Sequence, residues 1–269
     1  MGEADQIPII KGRDLLRGDA KTYRAIEDAL KTYGCVKIYK KGLDNQSFFP
    51  LFSKMRQCFN DKASGKTSQV LTAHAFQNNR GDPRLAGYDK KAYQDMQAIA
   101  NDIMRNLFPH DQSLREAFSQ AANPSANRLR MLAYHMQGQS KPHTDYSLFT
   151  LVKGSGRGLD VTRPDGVVVN VRTEVDEVLL MSGRALTVLT DNKFQATRHG
   201  FKNENGILKE RYSCIYFANL DDGFLLNIPS CSKNGESTLH QEKWFRQGAV
   251  KLPVSYGEFI RKQATIKSA

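Results

Sequence analysis

Two residues that could bind a metal stand one apart in His143-Thr144-Asp145. Alternate side chains of a β-strand project to the same face, so His143 and Asp145 could both reach one ion. An imidazole and a carboxylate placed in this way supply two ligands of a 2-His-1-carboxylate metal site. The motif is short and arises often by chance, so a metal site requires a second histidine elsewhere in the chain.

His199 is the candidate for the third ligand. It follows Asp145 by 54 residues, which leaves room for several short strands that return the chain to the same cavity. Two imidazoles and one carboxylate leave three positions open on an octahedral ion. That ligand set is typical of a non-haem Fe(II) centre that also binds a cosubstrate and O₂. The sequence therefore predicts an iron site formed by His143, Asp145 and His199.

Arg211 stands 12 residues after His199, and Ser213 shares its face if this stretch is a strand. A buried arginine needs an anionic partner, and its planar guanidinium matches a carboxylate with two parallel hydrogen bonds. The hydroxyl of Ser213 would add one more hydrogen bond. The pair is therefore suited to hold the far carboxylate of a dicarboxylate whose other end chelates the metal.

The composition limits the class of protein. The 269 residues suffice for one large domain or two small ones, and 40% hydrophobic with 25% charged residues is ordinary for a globular protein. No apolar run approaches the roughly 20 residues that span a bilayer, and the polar N-terminus predicts no secretory signal. The four cysteines include no CxxC pair, which favours a reduced, cytoplasmic protein without a disulfide framework.

The net charge of +11 suggests three classes of partner: nucleic acid, an acidic protein and an anionic small molecule. The lysines and arginines are spread along the chain without a run of five or six, which favours a basic, soluble surface over a nucleic-acid footprint. Beyond that surface, the charge favours an acidic substrate, or an acidic carrier protein that presents the substrate.

The N-terminal part of the chain, residues 1–126, is predicted to consist of helices and short strands. Apolar spacing predicts a strand at 6–10, a helix at 19–34, a strand at 35–39, and helices at 45–60, 93–107 and 114–118. Residues 61–89 have few periodic apolar positions and are predicted to form a long loop or several short pieces. As a loop, the stretch could act as a lid over a cavity.

From residue 127 onward the pattern changes to short strands separated by glycine-rich turns. Strands are predicted at 128–135, 145–153, 167–172, 177–181, 186–190, 195–199 and 211–217. Such a series is typical of an antiparallel double-sheet barrel or jelly roll. We therefore predict a mainly β fold with helices (α+β), formed by a single domain, 1–269. Its parts are N-terminal helices and strands at 1–126, a double-stranded β-helix (jelly-roll) core with the metal site at 127–222, and a C-terminal segment at 223–269 that packs on the core.

Taken together, the motifs resemble one known family, the isopenicillin N synthase-like branch of the Fe(II)- and 2-oxoglutarate-dependent dioxygenases. The matching segments are Ile7-Pro8-Ile9, Arg130 to Tyr134, His143-Thr144-Asp145-Tyr146-Ser147, Gly158-Leu159-Asp160-Val161, His199, Arg211-Tyr212-Ser213 and Pro253 to Arg261. The resemblance covers nearly the whole chain. It departs from the family pattern at Ser182-Gly183-Arg184, where a Gly-Asp turn is usual.

The resemblance implies a role for each of the predicted metal ligands and for the pair Arg211 and Ser213. His143, Asp145 and His199 would ligate Fe(II). Arg211 and Ser213 would bind the 5-carboxylate of 2-oxoglutarate, the cosubstrate of the family. The resemblance thus implies an enzyme, an Fe(II)/2-oxoglutarate-dependent dioxygenase.

The same resemblance implies the reaction. Tyr134, on the preceding strand, would contact the 1-carboxylate end of 2-oxoglutarate or orient the substrate. With O₂, oxidative decarboxylation would give succinate and CO₂ and would oxidise an unactivated C–H bond of a small molecule. Asp145 is replaced in the halogenases of this family, so its presence favours hydroxylation, desaturation or oxidative cyclisation. The setting that this predicts is natural-product or secondary metabolism.

Three other functions remain open on the sequence. A 2-oxoglutarate-independent oxidase of the isopenicillin N synthase type would keep the iron, and its Arg-x-Ser pair would bind the substrate's own carboxylate. A nucleic-acid demethylase of this family typically carries a second arginine six residues after the first, where this chain has Phe217. A non-catalytic jelly-roll binding protein would need no complete set of metal ligands.

Candidates for substrate contact are residues on loops and strand ends that the resemblance places near the cavity: Arg80, Tyr146, Phe217 and Asn219. For each of the four, a purely structural role is an equal alternative. The sequence predicts neither the identity of the substrate nor an oligomeric state.

Overall fold

The computed structural model describes residues 7–60, 68–73, 83–85, 87–107, 114–115, 118, 126–135, 139–202, 210–227, 239, 242 and 251–267. The N-terminal elements are β1 (Ile9–Lys11), α1 (Gly12–Leu16), α2 (Ala20–Tyr33), β2 (Cys35–Tyr39), a π-helical turn (Asp44–Phe48), α3 (Phe49–Asn60), β3 (Ser68–Ala73), a 3₁₀ turn (Pro83–Leu85) and α4 (Tyr88–Asn106).

Strands dominate the chain from residue 128 onward. They are β4 (Arg128–His135), β5 (Gln139–His143), β6 (Phe149–Gly154), β7 (Leu159–Thr162), β8 (Val168–Val171), β9 (Glu177–Ser182), β10 (Arg198–Lys202) and β11 (Glu210–Ala218), with helix α5 (Arg184–Leu189) between β9 and β10. The last elements are β12 (Leu225–Leu226), β13 (Val254–Ser255) and the C-terminal helix α6 (Tyr256–Lys267).

Two sheets form the core of a jelly roll. The larger sheet has the strand order β1-β2-β9-β6-β11-β4-β3, and the smaller has the order β5-β10-β7-β8. Strands β1 and β2 are parallel, and the pairs formed by β4 to β11 are antiparallel. The predicted fold class, a jelly roll with helices from the N-terminal half, is confirmed.

Strand β9 shows how the sheets and the helices share the core. All six of its residues are buried, because both faces of the strand are covered. Val178 and Leu180 pack in a cluster with the apolar faces of the helices, whereas Leu179 and Met181 pack with Val161 between the two sheets. The middle of the larger sheet is therefore a rigid wall between the helical layer and the jelly-roll interior.

Helix α2 begins and ends where the sequence predicts. The carboxylate of Asp19 accepts a hydrogen bond from the backbone N–H of Lys21 at 3.0 Å and so caps the helix. Gly34 follows the last turn and leads directly into β2. The strands predicted at 35–39 and 211–217 are also confirmed, as β2 and β11.

Two predictions of individual elements are wrong. Residues 186–190 lie almost wholly in helix α5, and Ala185 to Leu189 are buried on every side, so periodicity could not separate a helix from a strand there. The strand predicted at 145–153 begins only at Phe149, because the chain turns before it. The stretch predicted as a long loop or several short pieces, 61–89, includes strand β3 and the 3₁₀ turn, and the rest of it lies largely outside the described residues.

None of the helices within the described ranges combines the length and the apolar character that crossing a membrane requires.

Candidate functional site

The three predicted metal ligands meet at one end of the smaller sheet. His143 is the last residue of β5 and pairs with His199 on β10, and Asp145 lies in the turn that follows β5. One ligand atom from each of the three side chains lies within 4.8 Å of the other two. The Nε2 atoms of His143 and His199 lie 3.7 Å and 3.6 Å from the carboxylate oxygens of Asp145. Such spacing is suited to three ligands on one face of a metal ion.

Backbone carbonyls fix the orientation of both imidazole rings. Nδ1 of His143 lies 2.8 Å from the carbonyl oxygen of Lys141, and Nδ1 of His199 lies 3.0 Å from that of Thr197. Because a carbonyl oxygen only accepts hydrogen bonds, each Nδ1 carries the proton. Each Nε2 therefore presents its lone pair to the space shared with Asp145, which is the tautomer that a metal ligand requires.

Hydroxyl groups hold the carboxylate of Asp145. Thr150 Oγ1 donates to Oδ2 of Asp145 at 2.7 Å and lies 3.1 Å from the hydroxyl of Ser147. The backbone N–H of Arg184 donates to the carbonyl of Asp145 at 2.9 Å. Only glycine fits at Gly183, since a Cβ there would lie 1.9 Å from the carbonyl oxygen of Ser147. The turn that carries Asp145 is thus held through both the side chain and the backbone carbonyl of this residue.

Arg184 stands where the family pattern has an aspartate, and it joins the metal-binding turn to helix α6. Its Nε donates to the hydroxyl of Thr144 at 2.6 Å, and its Nη1 donates to the side-chain oxygen of Gln263. Its guanidinium also covers the Tyr146 ring, 5.0 Å from the centroid. The hydroxyl of Tyr146 donates to the backbone carbonyl of Gln263 at 3.1 Å. The C-terminal helix α6 therefore supports Thr144 and Tyr146, the two neighbours of Asp145 in the metal-binding turn.

Arg211 is a buried cation beside this centre. It lies on β11, is 3% exposed, and pairs with no carboxylate of the described residues. Its Nη1 donates to the hydroxyl of Ser213, its guanidinium carbon lies 4.6 Å from the centroid of the Phe201 ring, and its Nε has no partner within the described part of the chain. Burial lowers the pKa of Arg211 to about 10, so the side chain stays charged at neutral pH. A buried cation with an unused N–H is suited to an anion that enters the cavity.

Tyr134 faces Arg211 across the pairing of β4 with β11. Its side chain is buried, and its ring packs on that of Phe201 with 4.3 Å between the centroids. Burial raises the pKa of the Tyr134 hydroxyl, which therefore stays protonated at neutral pH and can donate a hydrogen bond. Tyr134 and Arg211 line the cavity that also contains the metal ligands.

One cavity of about 100 Å³ brings seven of the predicted site residues together: His143, Asp145, His199, Arg211, Ser213, Tyr134 and Phe217. Sequence reasoning missed other residues of its lining, among them Arg130, Leu132, Val152 and Phe201. Strand alternation carried the signal for three of these, since Arg130 and Leu132 share a face of β4 with Tyr134 and Phe201 follows His199 by two residues.

The two other predicted substrate contacts that lie within the described residues, Tyr146 and Asn219, do not line this cavity. The side chain of Asn219 is buried, donates to a backbone carbonyl at 2.9 Å and accepts from the hydroxyl of Tyr256 at 2.9 Å, so its polar atoms are used within the protein. Tyr146 packs beneath Arg184 rather than facing the cavity. Arg80 lies outside the described residues.

Comparisons with known proteins find a family match and similar folds. Residues 123–220 match the family model of the 2OG-Fe(II) oxygenase superfamily. Among solved structures, a full-length Neurospora crassa protein in complex with alpha-KG is similar over 98% of both chains, with a TM-score of 0.72 and 17% identity. The complex of the same Neurospora crassa protein with alpha-KG and thymine is similar over 100% of this chain and 98% of that one, with a TM-score of 0.71 and 15% identity.

A plant structure is similar as well. The 2-oxoglutarate complex of dioxygenase for auxin oxidation 1 from Arabidopsis thaliana has a TM-score of 0.64 and 15% identity, over 84% of this chain and 97% of that one. These likenesses support the fold. The family match covers the segment that contains all three predicted metal ligands together with Arg211 and Ser213. The part of the chain that carries the candidate site is therefore similar to the 2OG-Fe(II) oxygenase superfamily, and His143, Asp145 and His199 could hold the Fe(II) that the family's name implies.

Proposed function

We propose that this enzyme oxidises a C–H bond of a small molecule at an Fe(II) ion held by His143, Asp145 and His199, with 2-oxoglutarate anchored by Arg211 and Ser213. The observation that carries the proposal is the buried Arg211, whose charge no carboxylate of the described residues balances. An isolated buried charge is costly for a fold. It is accounted for if a carboxylate of the cosubstrate completes the site.

The donor set fits Fe(II). Two neutral imidazoles and one carboxylate occupy one face of an ion and leave the other positions open, as a non-haem Fe(II) oxygenase requires. When bound, Fe(II) and 2-oxoglutarate supply the O₂-dependent oxidation, which converts 2-oxoglutarate to succinate and CO₂. The carbonyl contacts of both histidines and the Thr150 hydroxyl hold these ligands in place before the metal arrives.

The residues beyond the metal ligands position and shield the reactants. Arg211 and Ser213 would hold one carboxylate of 2-oxoglutarate through charge-assisted hydrogen bonds, and Tyr134, protonated at neutral pH, would donate to its other end or to the substrate. The rings of Phe201 and Phe217 cover part of the cavity wall and exclude water from it. The protein thereby directs the oxidation to the C–H bond that it holds nearest the metal.

The substrate is proposed to be small and acidic. The structures of the similar Neurospora crassa protein include a complex with thymine, itself a small molecule. The net charge of +11 favours an anion, either free or presented by an acidic carrier protein. Hydroxylation, desaturation and oxidative cyclisation are the outcomes open to this site, and natural-product metabolism is the proposed setting.

The test is a measurement of succinate and CO₂ formed from 2-oxoglutarate with Fe(II), O₂ and a library of small molecules. We expect slow, metal-dependent succinate formation by the wild type, which a suitable small molecule accelerates. His199→Ala should abolish it with loss of metal binding, and Arg211→Ala should abolish it with metal binding retained. Substrate oxidation without succinate would instead indicate a 2-oxoglutarate-independent oxidase, and would contradict the proposed role of Arg211.

A further inference from the structure

The wall formed by β4 and β11 has a second cation at the end away from Arg211. The cross-strand pairs on this wall are, in order, Tyr134 with Arg211, Leu132 with Ser213, and Arg130 with Ile215. Tyr134 follows Arg130 by four positions along an extended strand, a distance of about 13 Å. The wall thus has a cationic end at Arg211, an apolar middle, and a second cationic end at Arg130.

Arg130 lines the same cavity as the metal ligands and is placed by an aromatic ring. Its guanidinium carbon lies 5.3 Å from the centroid of the Phe217 ring, and both side chains belong to the cavity wall. A guanidinium stacked on a ring keeps its N–H edges free for a ligand. No carboxylate of the described residues forms an ion pair with Arg130. Arg130 is also exposed to solvent, so its charge is available to a ligand of the cavity without pairing to a carboxylate of the described residues.

When the formal charges in the site are added, the positive charge of Arg130 is the one without an opposite charge. Under the proposed function, the two positive charges of Fe(II) are matched by the two carboxylates of 2-oxoglutarate. Among the described residues that line the cavity, Asp145 and Arg211 form no ion pair with each other, but their single charges add to zero in this sum. One positive charge, that of Arg130, remains. An anion that enters next to the cosubstrate would neutralise it, and a carboxylate matches the planar guanidinium best.

We propose that Arg130, seated on Phe217, receives the carboxylate of a small-molecule substrate and so selects free acids over their neutral derivatives. The inference rests on the proposed function, which supplies the metal and the cosubstrate at the other end of the cavity. Leu132, Val152 and Ile215 would contact the apolar body of the substrate between the two charged ends. An acyl group joined to a carrier protein through its carboxyl carbon lacks this anion, so the geometry favours a free acid.

The test is the binding of matched pairs of probes to the enzyme loaded with Mn(II) and 2-oxoglutarate. The probes are short aliphatic and aromatic monocarboxylates, each with its primary amide, and binding is measured by ligand-detected NMR and calorimetry. We expect the wild type to prefer acids over amides by roughly ten- to a hundredfold, the effect of a charge-assisted hydrogen-bonded pair. Arg130→Gln should remove the preference, and Arg130→Lys should retain part of it.

Arg198→Gln is the matched control, because Arg198 is exposed on β10 next to His199 and its loss changes the net charge equally. The control should keep the full preference for acids. Absence of the preference in the wild type, or its persistence in Arg130→Gln, would overturn the inference. The titration with 2-oxoglutarate comes first, so that failure of the proposed function can be recognised separately. Wild-type protein that binds no 2-oxoglutarate contradicts the proposed function. Normal 2-oxoglutarate binding without a preference for acids contradicts only the role of Arg130.

Discussion

Because Gly154 has no side chain, the guanidinium of Arg211 can occupy the space next to it. A Cβ atom built on Gly154 would lie 2.7 Å from Nη2 of Arg211, closer than unbonded atoms approach. Gly154 on β6 also pairs with Ser213, the serine whose hydroxyl accepts a hydrogen bond from Arg211. The absence of a side chain on one strand therefore determines where a cation on the next strand can lie.

Gly154→Ala should displace Arg211 without affecting the metal ligands. Because Arg211 is buried, its guanidinium cannot swing into solvent and must shift within the cavity. We expect 2-oxoglutarate affinity to fall by roughly tenfold or more, a typical effect of overpacking, while Mn(II) affinity stays unchanged. Calorimetry measures both. Gly223→Ala is the control, since a Cβ there meets nothing within 4 Å, and an unaltered 2-oxoglutarate affinity in Gly154→Ala would contradict the placement of Arg211.

Arg211→Met should stabilise the protein without ligands while it abolishes 2-oxoglutarate binding. Burial of the uncompensated guanidinium opposes folding, and a methionine of similar length removes that cost, so we expect a gain of ~1–3 kcal/mol in the free energy of unfolding. The measurement is denaturant unfolding with and without 2-oxoglutarate, which should stabilise only the wild type.

The pH dependence of this difference follows from the lowered pKa of Arg211. Folding lowers the pKa of the side chain from 12.5 to about 10, so the cost of its charge is fully present below about pH 10. Above that pH the folded protein loses the proton before the unfolded chain does, and the stability of the wild type should approach that of Arg211→Met. A difference that widens with rising pH would refute this explanation.

Thr150→Val should weaken metal binding through Asp145. The Thr150 hydroxyl donates to Oδ2 of Asp145, and its loss frees the carboxylate to rotate away from the imidazoles. Removing a hydrogen bond to a metal ligand typically lowers metal affinity by ~10–100-fold. Thr150→Ser keeps the hydroxyl and should restore most of the affinity, as measured by competition with a chelator. Equal affinities for the valine and serine variants would show that the hydroxyl does not orient Asp145.

Arg184→Met should loosen the link between helix α6 and the metal-binding turn. It removes the hydrogen bonds to Thr144 and Gln263, and Gln263 is only 1% exposed, so its side-chain oxygen would lose a partner in the interior. We expect a loss of about 1–3 kcal/mol in the free energy of unfolding, together with weaker Mn(II) binding. Lys262→Met breaks an exposed ion pair with Glu258 on the same helix and should have little effect on either quantity. Similar behaviour of the two variants would exclude a special role for Arg184.

Short-range patterns in the sequence predict much of the fold. Helix α2 could be located from Asp19, its apolar spacing and Gly34, all of which act within a few residues of one another. The strands of the jelly roll follow from alternation and turn residues in the same way. Helix α5 could not be predicted, because its residues are buried on every side and the resulting unbroken apolar run has no period.

The candidate site depends partly on contacts between residues that are far apart in the chain, which spacing along the sequence does not predict. Alternation predicts that Arg211 and Ser213 share a face of β11. It does not describe the metal-binding pair, because β5 ends at His143 and Asp145 lies in the turn that follows. The register that sets His143 opposite His199 depends on pairing between strands far apart in the chain. The same holds for Asn219, whose partner Tyr256 comes from the C-terminal helix, so a residue expected to contact substrate is instead part of the interior.

The central claim is that one cavity holds a metal and 2-oxoglutarate together, and an anaerobic crystal structure with Mn(II) and 2-oxoglutarate tests it most directly. We predict one metal ion bound by Nε2 of His143, Nε2 of His199 and a carboxylate oxygen of Asp145. We also predict that one end of 2-oxoglutarate chelates this ion and that the other end accepts hydrogen bonds from Arg211 and Ser213. A metal ion bound elsewhere, or a 2-oxoglutarate carboxylate that does not contact Arg211, would contradict the account.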